Sequence, residues 1–329
     1  MTNLNMDTRW SLNGLRTVIL ENQFLRITIL PELGARIYQI IYKPQDANLL
    51  WTNPRIQPAR ANFGSRYDDA WCGGWDELFP NCEVAAVNGE VFPDHGEIWS
   101  TEWDFETTRN AESISARFHC STRISGASIE KTITLQPNMR QFQVNYLLRN
   151  NLPTSMPMLW NLHVAMAVSE HHRLEFPDMN VHLDPSFLGS LVGAPTEFQW
   201  PTVKIGKESV DLARVPPRVE NRVHFCYGAD LAGGWWGVSD YESGLAYGLT
   251  FDRAIFNSLW LFGSFGGWRN LNVAVIEPST GYPSKLEEAI QAKTCYQLEP
   301  GQELTTSVQF TVAENISQIR AIASDGEMQ

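Results

Sequence analysis

Short runs rich in β-branched and aromatic residues recur along this chain of 329 residues, and turn signals separate them. In Ser128–Leu135 and Phe142–Leu148, polar and apolar residues alternate with the period of a strand that has one buried face. Pro31–Gly34 and Glu299–Gly301 are typical turns between strands. The pattern predicts an all-β chain. Further strands are expected at Arg16–Leu20, Phe24–Leu30, Leu271–Pro278 and Thr305–Val312.

Helical periodicity is limited to two short, peripheral stretches, Ser284–Ala292 and Ile316–Ala323. We find no internal repeat at propeller or solenoid periods, no low-complexity tract and no composition break that would mark a linker. The length is ordinary for one large β-sandwich. Residues 1–329 are therefore predicted to form a single domain, a large antiparallel β-sandwich.

The composition points to a globular protein with a small-molecule partner. Hydrophobic residues make up 43% and charged residues 19%, and no run reaches the roughly 20 apolar residues of a membrane helix. A net charge of −12 disfavours nucleic acid and anionic membranes, which need a basic surface. A neutral small molecule fits better, and both a monomer and a homodimer are compatible with the sequence.

Two features bear on the cellular location. Met1–Trp10 lack a basic segment followed by an apolar core, so neither a secretory signal nor a transit peptide is expected. The five cysteines are odd in number and scattered, without the short paired spacing of a zinc site. We expect reduced structural thiols and a cytoplasmic protein.

The segment Gly73–Asn81 combines two glycines, an aromatic ring and two adjacent acids, Trp75, Asp76 and Glu77. Sugars favour such surroundings, because carboxylates accept hydrogen bonds from hydroxyl groups and an aromatic ring covers the apolar face of a pyranose. The alternative is an ordinary turn with solvated acids and Trp75 in the core.

Two histidines are candidates for proton transfer. His95 precedes Gly96, where the backbone can approach a ligand closely, although a solvated turn histidine would look the same. His163 lies in the apolar run Met158–Met166, where alternation puts it on the same strand face as Asn161. Its alternative is a buried histidine that donates to a backbone carbonyl.

Glu277 ends the apolar run Leu271–Pro278 with a carboxylate. A carboxylate in such a place costs free energy unless it is paired or functional. It is either a catalytic group or half of a buried ion pair, with Arg36 or Arg66 as possible partners.

These segments, in this order, resemble the aldose 1-epimerase, or galactose mutarotase-like, family. The matching positions are His95-Gly96, His163 and Glu277, and the opening Leu30–Ile37 and closing Leu298–Gly301 are also similar. The resemblance implies a β-supersandwich that binds a hexose on its concave face. The run Trp160–Met166 departs from the asparagine-rich stretch of galactose-specific members. The segment Gly73–Glu77 resembles an uncharacterised branch of the family more than the galactose branch, so the resemblance implies the fold and the acid–base pair without a particular sugar.

By this resemblance, Glu277 removes the proton of the anomeric hydroxyl, His163 protonates the ring oxygen, and His95 hydrogen-bonds near the ring oxygen. Ring opening, rotation and closure then interconvert the α and β anomers of a hexose or related sugar. No cofactor and no metal are implied. The residues expected to grip the sugar are Arg66, Trp75, Asp76, Glu77 and Trp260.

Three other readings stay open at this point. The protein could bind carbohydrate without turnover. His95, His163 and Glu277 could instead hold divalent iron, since two histidines and a carboxylate form a facial triad. A glycoside-cleaving or lyase enzyme on the same fold could use Glu77, Glu97 and Glu277 as its acids.

Overall fold

A computed structural model describes residues 3–329. Met1 and Thr2, which the sequence analysis includes in the single domain and in the segment Met1–Trp10, lie outside the described residues. The chain separates into two compact units. The first comprises Met1–Val164 and Thr280–Val308, and the second comprises Ala165–Ser279 and Gln309–Gln329. Both consist mainly of strands, which confirms the all-β prediction. That residues 1–329 form one domain stays a prediction.

Within the first unit, the strands are mostly short near the amino terminus and longer after residue 104. They are β1 (Asn5–Asp7), β2 (Ser11–Leu12), β3 (Leu15–Arg16), β4 (Val18–Glu21), β5 (Leu25–Leu30), β6 (Arg36–Tyr42), β7 (Ala47–Asn48), β8 (Trp75–Leu78), β9 (Ala85–Val87), β10 (Glu90–Phe92), β11 (Asp104–Arg109), β12 (Ile114–Ser121), β13 (Ala127–Leu135), β14 (Gln141–Asn150), β15 (Met156–Met158) and β16 (Asn161–Met166), whose last two residues are assigned to the second unit.

The second unit supplies the next strands. They are β17 (His172–Glu175), β18 (Asn180–Leu183), β19 (Glu197–Gln199), β20 (Thr202–Ile205), β21 (Glu208–Asp211), β22 (Arg222–Ala229), β23 (Trp235–Asp240), β24 (Leu245–Phe251), β25 (Ser258–Phe265) and β26 (Asn272–Ser279). β27 (Tyr296–Leu298) belongs to the first unit, and β28 (Glu303–Glu314) has residues in both.

The helices are few and short. Among residues 3–329, two are α-helical, α1 (Tyr67–Ala70) and α2 (Leu286–Ala292), and three single turns are 3-10 helices at Lys43–Gln45, Gly189–Leu191 and Arg218–Glu220. Neither α-helix of residues 3–329 has the length and hydropathy that a membrane crossing needs. All five cysteines are free thiols, as predicted.

The first unit is a sandwich of two antiparallel sheets. One sheet has the strand order β1-β4-β5-β6-β8-β16, and the other has β11-β12-β13-β14. In β13 every second residue is buried, because one strand face packs on the facing sheet. Trp75 of β8 contacts Phe142 of β14 across this core, with ring centroids 6.3 Å apart. Both faces of β8 are buried, and this places polar groups of that strand away from bulk water.

The second unit contains the strand orders β26-β25-β22-β18-β19 and β24-β23-β17. β25 and β26 pair over their whole length, with Trp260 opposite Glu277. β22 pairs with β25 on the other side, with Tyr227 opposite Trp260. Because residues directly opposite each other share a sheet face, Tyr227, Trp260 and Glu277 form one row.

The sequence predictions for individual elements are largely confirmed. The strands at Ser128–Leu135 and Phe142–Leu148 correspond to β13 and β14, and the helical stretch Ser284–Ala292 corresponds to α2. The helix expected at Ile316–Ala323 is wrong. Ile319 and Ile322 of that segment pack against Trp235 and Ala246 instead, and its backbone pairs with the chain end at Met328 and Gln329. Tertiary burial of two isoleucines outweighs local helical spacing there.

Glu175 of β17 binds the carboxy-terminal segment Ile316–Ala323 through a hydrogen bond. Its Oε2 accepts a hydrogen bond from the backbone N–H of Ile319 at 2.7 Å. Burial raises the pKa of Glu175 to about 7. The folded state therefore holds the Glu175 proton more tightly than the unfolded chain, where the pKa is roughly 4.3.

The Glu175→Gln variant should reveal this linkage. The free energy of unfolding of the wild type, relative to the variant, should be highest below a pH of about 4.5, fall as the pH rises to about 7, and then level off. Urea unfolding of both proteins across this range measures the difference. A difference that does not change with pH would contradict the assignment.

Gly96 allows two backbone segments to approach closely. Its φ is +80°, and a Cβ atom there would lie 2.1 Å from the carbonyl oxygen of Phe79. Gly14, in the β2–β3 turn, has the same φ of +80°, but a Cβ atom would meet nothing within 4 Å. The two glycines therefore separate the cost of backbone conformation from the cost of the clash.

Replacing each glycine by alanine should give unequal losses. Gly14→Ala should lower the free energy of unfolding by about 1–2 kcal/mol, the cost of a left-handed residue with a Cβ atom. Gly96→Ala should lower it by about 2–5 kcal/mol, because the Cβ atom also displaces backbone. Urea unfolding of both variants measures the losses, and equal losses would contradict the close approach at Phe79.

Candidate functional site

The candidate site is built on two neighbouring strands of the first unit. β8 and β16 pair antiparallel, with Asp76 opposite His163 and Glu77 opposite Leu162. Residues opposite each other share a sheet face, whereas successive residues alternate between faces. Asp76 and His163 therefore lie together on one face, and Trp75 and Glu77 lie on the other.

A buried ion pair fixes Asp76. The Nη2 atom of Arg36, on β6, donates to Oδ2 of Asp76 at 2.8 Å, and both side chains are fully buried. Burial by itself raises the pKa of a carboxyl group. Here the charge of Arg36, with hydrogen bonds from His163 and Tyr67, outweighs burial and holds the pKa of Asp76 below its usual range. Asp76 is therefore a carboxylate that only accepts hydrogen bonds.

Tyr67, at the start of α1, connects Asp76 with His163. Its hydroxyl donates to Oδ2 of Asp76 at 2.8 Å and lies 3.1 Å from Nδ1 of His163. Burial and the nearby Asp76 charge raise the pKa of Tyr67 well above its ordinary value, so the hydroxyl keeps its proton. With that proton directed to Asp76, the Tyr67 oxygen presents an acceptor to the histidine.

The surroundings of His163 define its tautomer. Nδ1 lies 3.1 Å from the Tyr67 oxygen and 3.3 Å from Oδ1 of Asp76, and both atoms are acceptors. Nδ1 must then carry a proton, an assignment that follows from the hydrogen-bond network. In the neutral ring, Nε2 then carries the lone pair. The arrangement resembles a carboxylate–histidine pair, in which the carboxylate orients the imidazole.

His95 stacks face to face on the ring of Tyr67. The two rings are parallel within 2°, with centroids 4.0 Å apart. Nδ1 of His95 lies 2.8 Å from Oδ1 of Asp94, whose other oxygen accepts from the backbone N–H of Tyr67 at 2.9 Å. The ring centroids of His95 and His163 are 6.3 Å apart. The structure thus brings together the two histidines that the sequence singled out.

The paired glycines before β8 make room for this arrangement. Gly73 and Gly74 have φ of +89° and +86°, and a Cβ atom on Gly73 would lie 2.2 Å from the carbonyl oxygen of Trp51. The carbonyl of Gly73 accepts a hydrogen bond from Nη1 of Arg36 at 2.7 Å. The glycines therefore position the backbone that holds Arg36, in addition to turning the chain.

Trp75 and Glu77 lie apart from this cluster, on the opposite face of β8. Glu77 accepts hydrogen bonds at 2.9 Å from Nζ of Lys131 and at 2.7 Å from the hydroxyl of Tyr146. Trp75 is fully buried against Phe142. The structure does not bring these two predicted sugar ligands to the side of Asp76 and His163, because neighbouring residues of a strand point in opposite directions.

Removal of Lys131 tests this placement. Lys131→Met leaves Glu77 buried without its cation and should lower the free energy of unfolding by about 3–5 kcal/mol. The double variant Lys131→Met/Glu77→Gln should recover most of the loss, because it contains no unpaired charge. A double-mutant cycle in urea measures the coupling, and strictly additive losses would contradict a buried pair.

The remaining predicted residues are placed as follows. Glu277 and Trp260 lie in the second unit, opposite each other on β26 and β25, and both are buried. Arg66 directly precedes α1, and its side chain is exposed. The supposed partner of Glu277, Arg36, is bound to Asp76 instead.

Sequence reasoning missed Tyr67 and Trp71 and assigned Arg36 only as a possible partner of Glu277. Trp71 packs edge-on against His163, with ring centroids 5.5 Å apart, and stacks on Tyr67. The available signal was the spacing of the two aromatic residues, four apart and close to the Gly-Gly pair, which places them on one face of a helical turn. Nothing local indicated that this turn would meet β16.

Two findings bear on the alternative readings. Glu97 accepts hydrogen bonds from the backbone N–H groups of Arg123, Ile124 and Ser125, at 2.8, 2.6 and 3.0 Å. Two of the three acids of the glycosidase reading, Glu77 and Glu97, are thus bound to structural partners. Within residues 3–329, no group of three histidine, cysteine, aspartate or glutamate residues is arranged to hold a metal ion.

No protein-family model and no curated protein sequence matches this chain. Solved structures do match. A Klebsiella pneumoniae protein named a candidate aldose 1-epimerase has a TM-score of 0.74 at 15% identity, and the match covers 95% of this chain and 84% of that one. A Clostridium acetobutylicum galactose mutarotase-like protein has a TM-score of 0.68 at 11% identity, covering 95% and 99%.

The Slr1438 protein of Synechocystis has a TM-score of 0.67 at 15% identity, with coverage of 95% and 100%. At such identities the likeness establishes the fold. The chain has the galactose mutarotase-like β-supersandwich fold, as the resemblance of its motifs predicted. A function must be argued from the site.

Proposed function

We propose that the protein is an aldose 1-epimerase, which interconverts the α and β anomers of a hexose or a related sugar. The observation that carries the proposal is the orientation of His163, whose Nδ1 lies against Asp76 and Tyr67. We assign the proton transfer to Nε2 of the same ring. An oriented imidazole is what general acid catalysis requires. The galactose mutarotase-like fold supports the same conclusion.

The proposed reaction starts from the His163 imidazolium, which carries a proton on both ring nitrogens. Glu277 takes the proton from the anomeric hydroxyl while Nε2 of His163 gives its proton to the ring oxygen, which leaves His163 as the neutral Nδ1–H tautomer. The bond between C1 and the ring oxygen breaks, and C1 becomes an aldehyde. Rotation about the C1–C2 bond presents the opposite face of the carbonyl. The ring oxygen then attacks C1 and returns its proton to His163, while the carbonyl oxygen regains the proton from Glu277, so no proton is gained or lost.

The other predicted site residues take revised roles in this proposal. His95, stacked on Tyr67, hydrogen-bonds the sugar near the ring oxygen, and the exposed Arg66 contacts its hydroxyl groups. Asp76 is a positioning residue, because its oxygens are engaged by Arg36, Tyr67 and His163. Trp260, which is fully buried, supports Glu277 from the neighbouring strand. Only acid–base chemistry and positioning are needed, so the proposal includes no cofactor.

Anomer exchange measured by NMR on glucose, galactose and related sugars tests the proposal. The wild type should accelerate exchange for at least one sugar, and His163→Gln and Glu277→Gln should each lower kcat by roughly 10²–10⁴-fold with unchanged melting temperatures. Asp76→Asn should lower kcat within the same range, because an amide N–H facing Nδ1 favours the wrong tautomer.

His119→Gln, which changes an exposed histidine of β12, is the matched control and should retain wild-type exchange. Sugar binding without acceleration would favour the carbohydrate-binding reading. Neither binding nor acceleration for any sugar would refute both.

A further inference from the structure

Four aromatic side chains form a partly exposed strip in the second unit. Phe225 of β22 and Phe262 of β25 are register partners, with ring centroids 6.4 Å apart. Phe187 packs on Phe262 at 6.0 Å, and Trp268 packs edge-on against Phe262 at 5.4 Å. All four rings are only partly buried. We call these four residues the aromatic strip.

The aromatic strip begins beside Glu277. Tyr227, Trp260 and Glu277 form one row across β22, β25 and β26, and Phe225 and Phe262 form the next row on the same face. Two residues along a strand correspond to roughly 7 Å. Phe262 is therefore a diagonal neighbour of Glu277 on the next strand, roughly 7–8 Å away, and Phe225 lies one strand further.

The four rings of the aromatic strip keep part of their surface in water. Each Å² of apolar surface left in water forgoes roughly 25 cal/mol of stabilisation, and contiguous apolar surface of this kind is typical of binding sites. The guanidinium of Arg269 lies 4.7 Å from the ring centroid of Trp268 and adds planar hydrogen-bond donors at one end. Rings that cover C–H groups, with donors at the edge, suit a sugar residue.

We propose that the aromatic strip binds the second residue of an oligosaccharide whose reducing-end unit is held at Glu277. The substrate class is then a reducing disaccharide or longer saccharide, with a free hexose as the poorer ligand. The assignment of Glu277 to the reducing-end unit rests on the proposed function. The assignment of the aromatic strip to the second sugar residue rests on the contacts among its rings and on the strand register.

Dissociation constants from NMR titration test this proposal, with maltose, cellobiose and lactose compared with glucose and galactose. At least one disaccharide should bind the wild type roughly tenfold more tightly than the monosaccharides. Phe262→Ala and Trp268→Ala should each reduce this preference about fivefold or more, as expected for the loss of a buried aromatic contact. Trp10→Ala, which removes an exposed tryptophan of the first unit, should leave the preference unchanged.

Phe262→Leu keeps most of the apolar volume and replaces the alanine variant in the test if that variant fails to fold. It should also reduce the preference for the disaccharide. No disaccharide preference in the wild type, or an unchanged preference in the strip variants, would overturn the proposal. Anomer exchange of glucose and galactose is measured separately. Anomer exchange without a disaccharide preference refutes only the proposal for the aromatic strip. A disaccharide preference that depends on the strip, without anomer exchange, refutes only the proposed epimerase activity.

Discussion

The buried pair of Arg36 and Asp76 is the interaction on which the rest of the candidate site depends. It joins β6 to β8, and the second guanidinium nitrogen of Arg36 holds the Gly73 carbonyl at the start of β8. Removing two charges from water costs several kcal/mol, which their attraction repays only with good geometry and further hydrogen bonds. Tyr67 and His163 supply those bonds to Asp76. The hydrogen-bond network that stabilises the buried carboxylate is therefore the same network that orients the imidazole.

The register of β8 is specified unusually strongly. Asp76 and Glu77 are successive buried carboxylates, and each faces its own cation on opposite sides of the strand, Arg36 and Lys131. A slip of one residue would exchange the two faces and place each acid in apolar surroundings or against the wrong partner. Such a slip would cost far more than a change in apolar packing, because unpaired buried charges are among the most destabilising defects. The strand that carries Asp76 is thus fixed by electrostatics from both sides.

The sequence was sufficient for the strands, and it drew attention to two histidines whose rings lie close together, because both signals are local. Alternation defines β13 and β14, and His95 and His163 stand out as titratable groups in apolar or glycine-containing runs. The roles of Arg36 and Tyr67 were not accessible, since they depend on contacts between residues 40 and 96 positions apart. Alternation did contain one unused constraint: Trp75, Asp76 and Glu77 are consecutive in a strand and cannot all face one ligand.

The same pairing makes the proposed site for a neutral sugar compatible with an acidic chain. The net charge is −12, yet each buried carboxylate of β8 lies against one cation, so the excess of negative charge is carried elsewhere. The imidazole of His163 then faces hydrogen-bonding groups and aromatic rings more than a concentrated negative field. A sugar gains from such surroundings through hydrogen bonds and contact with rings, whereas a cation would gain little. The proposed sugar binding and the proposed proton transfer are therefore compatible in one place, because the Asp76 charge beside the imidazole is already neutralised by Arg36.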